Sequence, residues 1–217
     1  ITLADDTTNT LKSGMCCAGL QKNGAYISET QGKLTITGTG TLTATGGEYG
    51  AGIGGGFEGN GSNIEISGGS VKAVAGTNAN AIGGGNGQSA VTPTDGNGNN
   101  VYLLELDVDG TSAVTINGKA YPTKHFDENK LYVYLPAGNY TVANGNSQKL
   151  YTIADDGTVS EVNAEDTCTC TAKCTEENKN TECPVCSVDH NACEYYIPTS
   201  GNCGAVGNEG NVKWNFD

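Results

Sequence analysis

The stretch LTITGTGTLTATGGEYGAGIGGG, residues 34–56, decides the fold of this chain. Apolar and polar residues alternate in it, glycines interrupt the alternation, and it ends in Ile-Gly-Gly-Gly. The stretch IEISGGSVKAVAGTNANAIGGG, residues 64–85, repeats the same order. Because the alternation has a period of two, both stretches predict short strands. The glycines are typical of tight corners between strands.

A weaker copy of this unit precedes the other two, which gives a repeat spacing of 29–33 residues. Ile53 aligns with Ile82, 29 residues later, and with Leu20, 33 residues earlier. Three copies with three strands each predict a short parallel β-helix, or solenoid, over residues 1–91. Because one repeat cannot bury its own apolar face, we expect columns of equivalent side chains through a slender core. The expected columns are Leu3/Ile36/Ile66, Leu11/Leu42/Val71 and Leu20/Ile53/Ile82.

The sequence pattern changes after a Gly- and Asn-rich linker at residues 92–100. Residues 101–162 contain alternating segments bounded by Asp-Gly, Asn-Gly and Pro-Ala-Gly turns, which predict a small antiparallel β unit, either sandwich-like or capping. In LYVYL, residues 131–135, the alternation places Tyr132 and Tyr134 on one face. We expect this unit to cover the exposed strand edge at the end of the repeats.

The last part of the chain has few apolar residues. A cysteine-rich segment is predicted at 163–197, and residues 198–217 indicate the truncated start of a further domain. The sequence thus predicts an all-β chain in which a short parallel β-helix precedes a small antiparallel β unit and a cysteine-stapled tail.

The charge of the chain excludes some classes of partner. The formal net charge is −13, with eleven lysines and no arginine. Nucleic acid binding needs a basic surface to neutralise phosphates, so no nucleic acid partner is expected. No apolar run is long enough for a membrane span, so no membrane insertion is expected. An anionic polysaccharide would be repelled unless a divalent cation bridged the two.

The cysteine-rich segment has the spacing C-x-C-x3-C-x8-C-x2-C-x6-C from Cys168 to Cys193. So short and polar a stretch needs covalent or metal crosslinks to fold. Three disulfides in a secreted protein are one interpretation. The other is a closed structural zinc site, with His190 or Cys193 as spare ligands. The predicted metal ligands are Cys170, Cys174, Cys183 and Cys186.

A calcium site is a weaker candidate, at DGNGNN, residues 95–100. The segment has the Asp-x-Asn-x-Asn start of a calcium loop, but Leu106 stands where the bidentate glutamate is needed. A plain linker is the preferred interpretation, and no cofactor is required by the sequence as a whole.

The repeats carry a family resemblance in LKSGMCCAGLQKNG, residues 11–24, and in the run from residue 32 to 85. They resemble right-handed parallel β-helix repeats of large secreted surface proteins from anaerobic Gram-positive gut bacteria. The cysteine-rich segment is similar to a spacer in the same class, and SGNCG with VKWNFD resembles the start of a leucine-rich-repeat region. The resemblance implies an extracellular, cell-wall or cell-surface location, and it raises polysaccharides or host glycans as partners.

Two aromatic clusters are candidate glycan-binding sites, because sugar rings stack their C–H faces on exposed aromatic rings. Tyr49 and Phe57 flank the second corner of the repeats, near Glu58 and Asn60. Tyr132 and Tyr134 are the second cluster. For both clusters, ordinary packing is the alternative interpretation.

Three hypotheses of function follow. The preferred one is a non-catalytic surface-protein segment for glycan or host-ligand binding and adhesion. The second is a purely structural spacer or display stalk. A polysaccharide-degrading β-helix enzyme comes last, and the chain is predicted not to be an enzyme. The repeats offer Glu48, Glu58 and Glu65 with Lys72 and no histidine, and Glu48 and Glu58 are typical of solvated corner residues.

Overall fold

The computed structural model describes most of the chain, and the described residues form strands and no helix. The described ranges are 1–24, 26, 32–109, 113–121, 129–145, 147–162, 200–203 and 212–215, with the single positions 170, 174, 175, 177, 180, 183 and 186. The chain divides into two compact units, Ile1–Glu161 and Val162–Asp217. The predicted all-β class is confirmed.

Each of the three repeats supplies three strands. The first gives β1 (Thr2–Leu3), β2 (Thr8–Lys12) and β3 (Leu20–Asn23). The second gives β4 (Leu34–Gly38), β5 (Thr41–Thr45) and β6 (Ile53–Gly55). The third gives β7 (Ile64–Ile66), β8 (Ser70–Val74) and β9 (Ile82–Gly83).

Equivalent strands of successive repeats pair in parallel. They form three three-stranded sheets with the orders β1-β4-β7, β2-β5-β8 and β3-β6-β9. In the third sheet Leu20 pairs with Ile53, and Ile53 pairs with Ile82. The column predicted from these three residues is therefore confirmed, together with the parallel direction of the strands.

The other two predicted columns are wrong in their first-repeat member. Leu3 pairs with Gly38, and Leu11 pairs with Ala44, each two residues further along β4 or β5 than expected. A shift of two residues keeps a side chain on the same face of its strand. Leu3 is accordingly still buried, whereas Leu11 is 37% exposed and contributes little to the core.

The core of the repeats is a narrow stack of aliphatic side chains. Fully burying one isoleucine contributes about 1.5–3 kcal/mol relative to exposure, so each column is a large part of the stability. The buried members are Leu3, Ile36, Leu42, Ala44, Ile53, Ile64, Ile66, Val71 and Ile82.

Gly54 and Gly83 show why the repeats end in glycines. They are paired across β6 and β9, and both have positive φ, 135° and 129°. A Cβ at Gly54 would lie 2.0 Å from the carbonyl oxygen of Gly83. Only glycine combines this conformation with so close an approach of two backbones.

The rest of the first unit is antiparallel. Strands β10 and β13 form a pair, and five strands form a sheet in the order β12-β11-β14-β15-β16. The bounds are β10 Tyr102–Asp107, β11 Val114–Ile116, β12 Lys119–Tyr121, β13 Lys130–Leu135, β14 Gly138–Asn144, β15 Ser147–Ile153 and β16 Val159–Val162. This part has its own core, which includes Leu104, Val114, Leu131, Val133 and Ile153.

Strand β13 lies against β8, an outer strand of the second parallel sheet. The backbone N–H of Tyr132 donates to the Ser70 hydroxyl oxygen at 3.1 Å. Tyr134 packs against the core of the repeats, while Leu131 and Val133 face the antiparallel core. The antiparallel part therefore contacts β8 through β13.

In the second unit, β17 (Ser200–Cys203) and β18 (Val212–Asn215) pair in an antiparallel hairpin. The other described positions of this unit include four cysteines. Cys168, Cys193 and His190 lie outside the described residues.

Candidate functional sites: an aromatic corner and a cysteine cluster

Three aromatic side chains meet at the corner that follows β3 and β6. The ring centroid of Phe57 lies 5.5 Å from that of Tyr26 and 5.7 Å from that of Tyr49, with interplanar angles of 72° and 78°. Both are edge-to-face contacts, the geometry that the ring quadrupoles favour. We call Tyr26, Tyr49 and Phe57 the aromatic corner.

The aromatic corner joins two repeats and faces water. The backbone N–H of Tyr26 donates to the Phe57 carbonyl at 2.9 Å, and that of Phe57 donates to the Cys16 carbonyl at 2.9 Å. Tyr26 is 71% exposed, while Tyr49 and Phe57 are half-buried. Backbone hydrogen bonds thus hold the main chain at Tyr26 and Phe57, and the Tyr26 ring is the one that is mostly accessible to solvent.

Two of these aromatic residues have a left-handed backbone conformation. The φ angles are 63° at Tyr26 and 66° at Tyr49, and the equivalent residues of Tyr49 in the other repeats, Cys16 and Asn78, have φ of 65° and 57°. The stacking of repeats therefore sets this conformation whatever the side chain. Asparagine tolerates it well, but a bulky residue there costs about 1–3 kcal/mol.

The polar groups near the aromatic corner differ in whether they are free to bind a ligand. Glu58 is exposed. The side-chain oxygen of Asn60 accepts a hydrogen bond from the Ser62 N–H at 2.7 Å, so it is directed at its own turn. A hydrogen bond to Glu48 raises the pKa of the Tyr49 phenol, because ionised tyrosine would lose that bond.

Tyr132 and Tyr134, the second predicted cluster, lie inside the first unit. Tyr132 is 8% exposed, and the Lys72 Nζ lies 5.1 Å from its ring centroid. Burial raises the pKa of Tyr134 to about 12. Neither ring presents the open face that sugar stacking needs, and the two do not approach Tyr49 or Phe57 in any ring contact among the described residues.

Sequence reasoning missed Tyr26. The signal was available, since Tyr26 stands three residues after β3 as Glu58 stands three residues after β6, next to Phe57, and both Tyr26 and Glu58 have positive φ. The weak match of the first repeat to the others concealed this equivalence.

The cysteines of the second unit form a buried cluster. The Sγ atom of Cys170 lies 3.4 Å from those of Cys174 and Cys186, and the three sulfurs are all within 4.8 Å of one another. Cys183 is fully buried in the same cluster, and its sulfur accepts the Cys186 N–H at 3.5 Å. Asn180 donates to the Cys170 sulfur at 3.6 Å.

The sulfur separations in the cluster are those of metal ligands. A disulfide bond is about 2.05 Å long, so neither Cys170 pair at 3.4 Å is bonded. Four sulfurs at about 2.3 Å around a tetrahedral zinc ion lie about 3.8 Å apart. The cluster of Cys170, Cys174 and Cys186 could therefore bind a metal such as zinc.

The side chain of Asp95, the first residue of the predicted calcium loop, stabilises the turn in which it lies. Its carboxylate accepts hydrogen bonds from the N–H groups of Asn97 and Asn99 at 2.8 and 2.9 Å and from the Asn99 side-chain amide at 3.0 Å. The donors to this carboxylate are amides, and they lower the pKa of Asp95. The arrangement is an Asx turn.

Comparisons of this chain with protein-family models, with curated proteins and with solved structures give no match. Among the described residues, no helix has the length and apolar character to span a membrane.

Proposed function

We propose that the chain is part of an extracellular surface protein in which a short parallel β-helix presents the aromatic corner for binding glycans. The observation that supports this proposal is the aromatic corner, in which the 71% exposed Tyr26 contacts the half-buried Phe57, which in turn contacts the half-buried Tyr49.

The chemistry of the corner suits a sugar. Aromatic rings supply apolar contact, and the phenol groups and Glu58 supply hydrogen bonds to hydroxyl groups. A net charge of −13 disfavours anionic glycans, so we propose a neutral plant or host glycan.

The proposed role is binding without catalysis. Glu65 is buried and forms an ion pair with Lys33, and Glu48 is hydrogen-bonded to Tyr49. These two carboxylates thus have structural partners, which supports a non-catalytic role.

A glycan array followed by calorimetry tests the proposal. We expect wild-type chain to bind at least one neutral glycan and Tyr26→Ala to weaken it about tenfold, since one exposed ring supplies about 1.4 kcal/mol. Tyr26→Phe should retain binding. Leu103→Ala removes an apolar side chain that is 40% exposed on β10, outside the aromatic corner, and is the control.

Absence of binding to every glycan, with or without calcium and with an intact fold, would favour the alternative function of a structural spacer. The continuous parallel sheets support that alternative, because they extend a chain over a distance with few residues in the core.

For the second unit we propose a structural zinc site formed by Cys170, Cys174, Cys183 and Cys186. The packed sulfurs support it, as does the N–H bond to the Cys183 sulfur, which orients that ligand. A closed site of four thiolates stabilises a small fold and has no open position for chemistry.

Metal analysis of the purified chain tests the zinc site. We expect one zinc ion per chain, and about a tenfold or greater loss of zinc affinity in Cys183→Ser, measured by competition with a chelator. Cys17→Ser, at an exposed cysteine of the first unit, is the control. Sub-stoichiometric zinc with these four cysteines in disulfides by mass spectrometry would refute the site.

A further inference from the structure

A cleft in the first unit lies between the repeats and the antiparallel strands. It has a volume of about 350 Å³, and its walls come from the turn after β7, the loop at residues 95–97, and strands β12 and β13. Ligand sites have volumes of about 300–1,000 Å³, so this cleft suits one small molecule.

Backbone hydrogen bonds hold the loop side of the cleft in place. The Thr94 N–H donates to the Ile64 carbonyl at 3.0 Å, and the Ile66 N–H donates to the Thr94 carbonyl at 2.9 Å. The segment predicted as a linker is thus attached to the edge of β7, and Asp95 follows directly. The cleft is preformed.

The inner wall is apolar with two phenol groups. Tyr121 is 7% exposed, Tyr134 is half-buried, and Ile66 and Val133 lie beside them. Burial raises the pKa of both tyrosines, that of Tyr134 to about 12. Tyrosine hydroxyl groups are protonated at neutral pH and can donate hydrogen bonds.

The rim is polar and electrically balanced. Amide hydrogen bonds fix the Asp95 carboxylate, and the Lys119 Nζ lies 5.4 Å from the Tyr121 ring centroid as a cation–π contact. Ser67 and Asn97 complete the rim. The charges of Asp95 and Lys119 cancel, so the cleft itself selects neither anions nor cations.

We propose that this cleft binds one neutral saccharide ring, as a second subsite separate from the aromatic corner. An apolar floor with hydrogen-bonding groups around it matches a molecule with C–H faces and peripheral hydroxyl groups. The chain's charge of −13 further disfavours uronic acids. The inference rests on the proposed function, since it assigns the same class of ligand to a second place.

Amide NMR shifts during titration with methyl glucoside, methyl galactoside, N-acetylglucosamine and galacturonate test the proposal. For a neutral sugar we expect saturating shifts at residues 67–69 and 96–97, with a Kd of about 1 mM, as for a ligand of this size. Galacturonate should bind at least about tenfold more weakly, because of the negative charge.

Variants separate the cleft from the corner. Ser67→Trp, at an exposed rim position, should fill the cleft and abolish the shifts at 67–69 and 96–97. Lys119→Met should weaken binding several-fold, while Lys12→Met removes the same charge outside the cleft and should leave it unchanged. Tyr26→Ala should leave the cleft shifts intact.

Absence of shifts at the cleft, or shifts that persist in Ser67→Trp, would overturn the cleft proposal. Binding at the aromatic corner is monitored in the same titration by the amide chemical shifts of Phe57 and Glu58. Corner shifts without cleft shifts refute the cleft alone, and cleft shifts without corner shifts refute the corner alone.

Discussion

Tyr26 and Tyr49 have a backbone conformation that bulky residues avoid, and Gly54 has one that only glycine adopts readily. In each case the cause is the same, since hydrogen bonds to the neighbouring repeat fix the backbone and the side chain must tolerate it. No side chain is tolerated at Gly54, because a Cβ atom would clash with the Gly83 carbonyl oxygen.

Gly54→Ala should therefore destabilise the first unit strongly, by about 3 kcal/mol or more, through strain at φ of 135° and a backbone clash. Urea unfolding followed by circular dichroism measures the change. Gly14→Ala is the control: nothing lies within 4 Å of a Cβ placed there, so its effect should stay below about 1 kcal/mol. Equal effects of the two substitutions would contradict this explanation.

At the level of single residues, the sequence predicted part of the candidate sites. Tyr49, Phe57 and Glu58 were found from their place beside the glycines, and the four cysteines from their spacing. The hydrogen bond that occupies the Asn60 side chain comes from Ser62, two residues away. The burial of Tyr132, by contrast, depends on the contact of β13 with the distant strand β8. A local pattern carries no information on such contacts.

At the scale of the strands, the period-two alternation predicted the elements of the second repeat closely. The alternation predicts strands at 34–37, 41–45 and 51–53; the first two match β4 and β5, whereas β6 begins two residues later than predicted and overlaps the third only at Ile53. The register of the first repeat was predicted wrongly at Leu3 and Leu11, by two residues. Shifts by an even number preserve the inside–outside pattern, so hydrophobicity alone does not distinguish them.

Strand β13 shows that the hydrophobic alternation is also insufficient for a strand whose two faces are both covered. The alternation in LYVYL separates Leu131 and Val133 from Tyr132 and Tyr134, but it does not reveal that both faces are covered. Tyrosine occurs on both buried and exposed faces of strands, so the contact with β8 determines that this face of β13 is covered.

At the scale of the whole first unit, the antiparallel strands and the repeats share an interface that contains Tyr134. Its ordinary pKa is 10, and burial raises it to about 12 in the fold. A raised pKa means that the stabilisation is fully present below pH 10 and is lost as the pH rises through about 12.

We accordingly expect alkaline unfolding of the first unit between about pH 10 and 12, with a contribution of up to about 3 kcal/mol from Tyr134. Tyr134→Phe should reduce that pH dependence, measured by urea unfolding at pH 8, 10 and 11.5. Tyr121, Tyr140 and Tyr151, whose pKa values burial also raises, supply the remainder. Tyr26→Phe changes a 71% exposed tyrosine and should retain the dependence. An unchanged pH profile in Tyr134→Phe would refute this role.

The unequal lengths of the repeats indicate how evolution or engineering can alter the turns between the strands. Leu20 and Ile53 are 33 residues apart, Ile53 and Ile82 only 29, yet all three are in register. The four additional residues are therefore accommodated while these pairs are kept, with one irregularity of register between Gln21 and Asn23 in the pairing of β3 with β6. Turns of this kind can lengthen, shorten or accept grafted loops, so one rigid scaffold can support a varied repertoire of recognition surfaces.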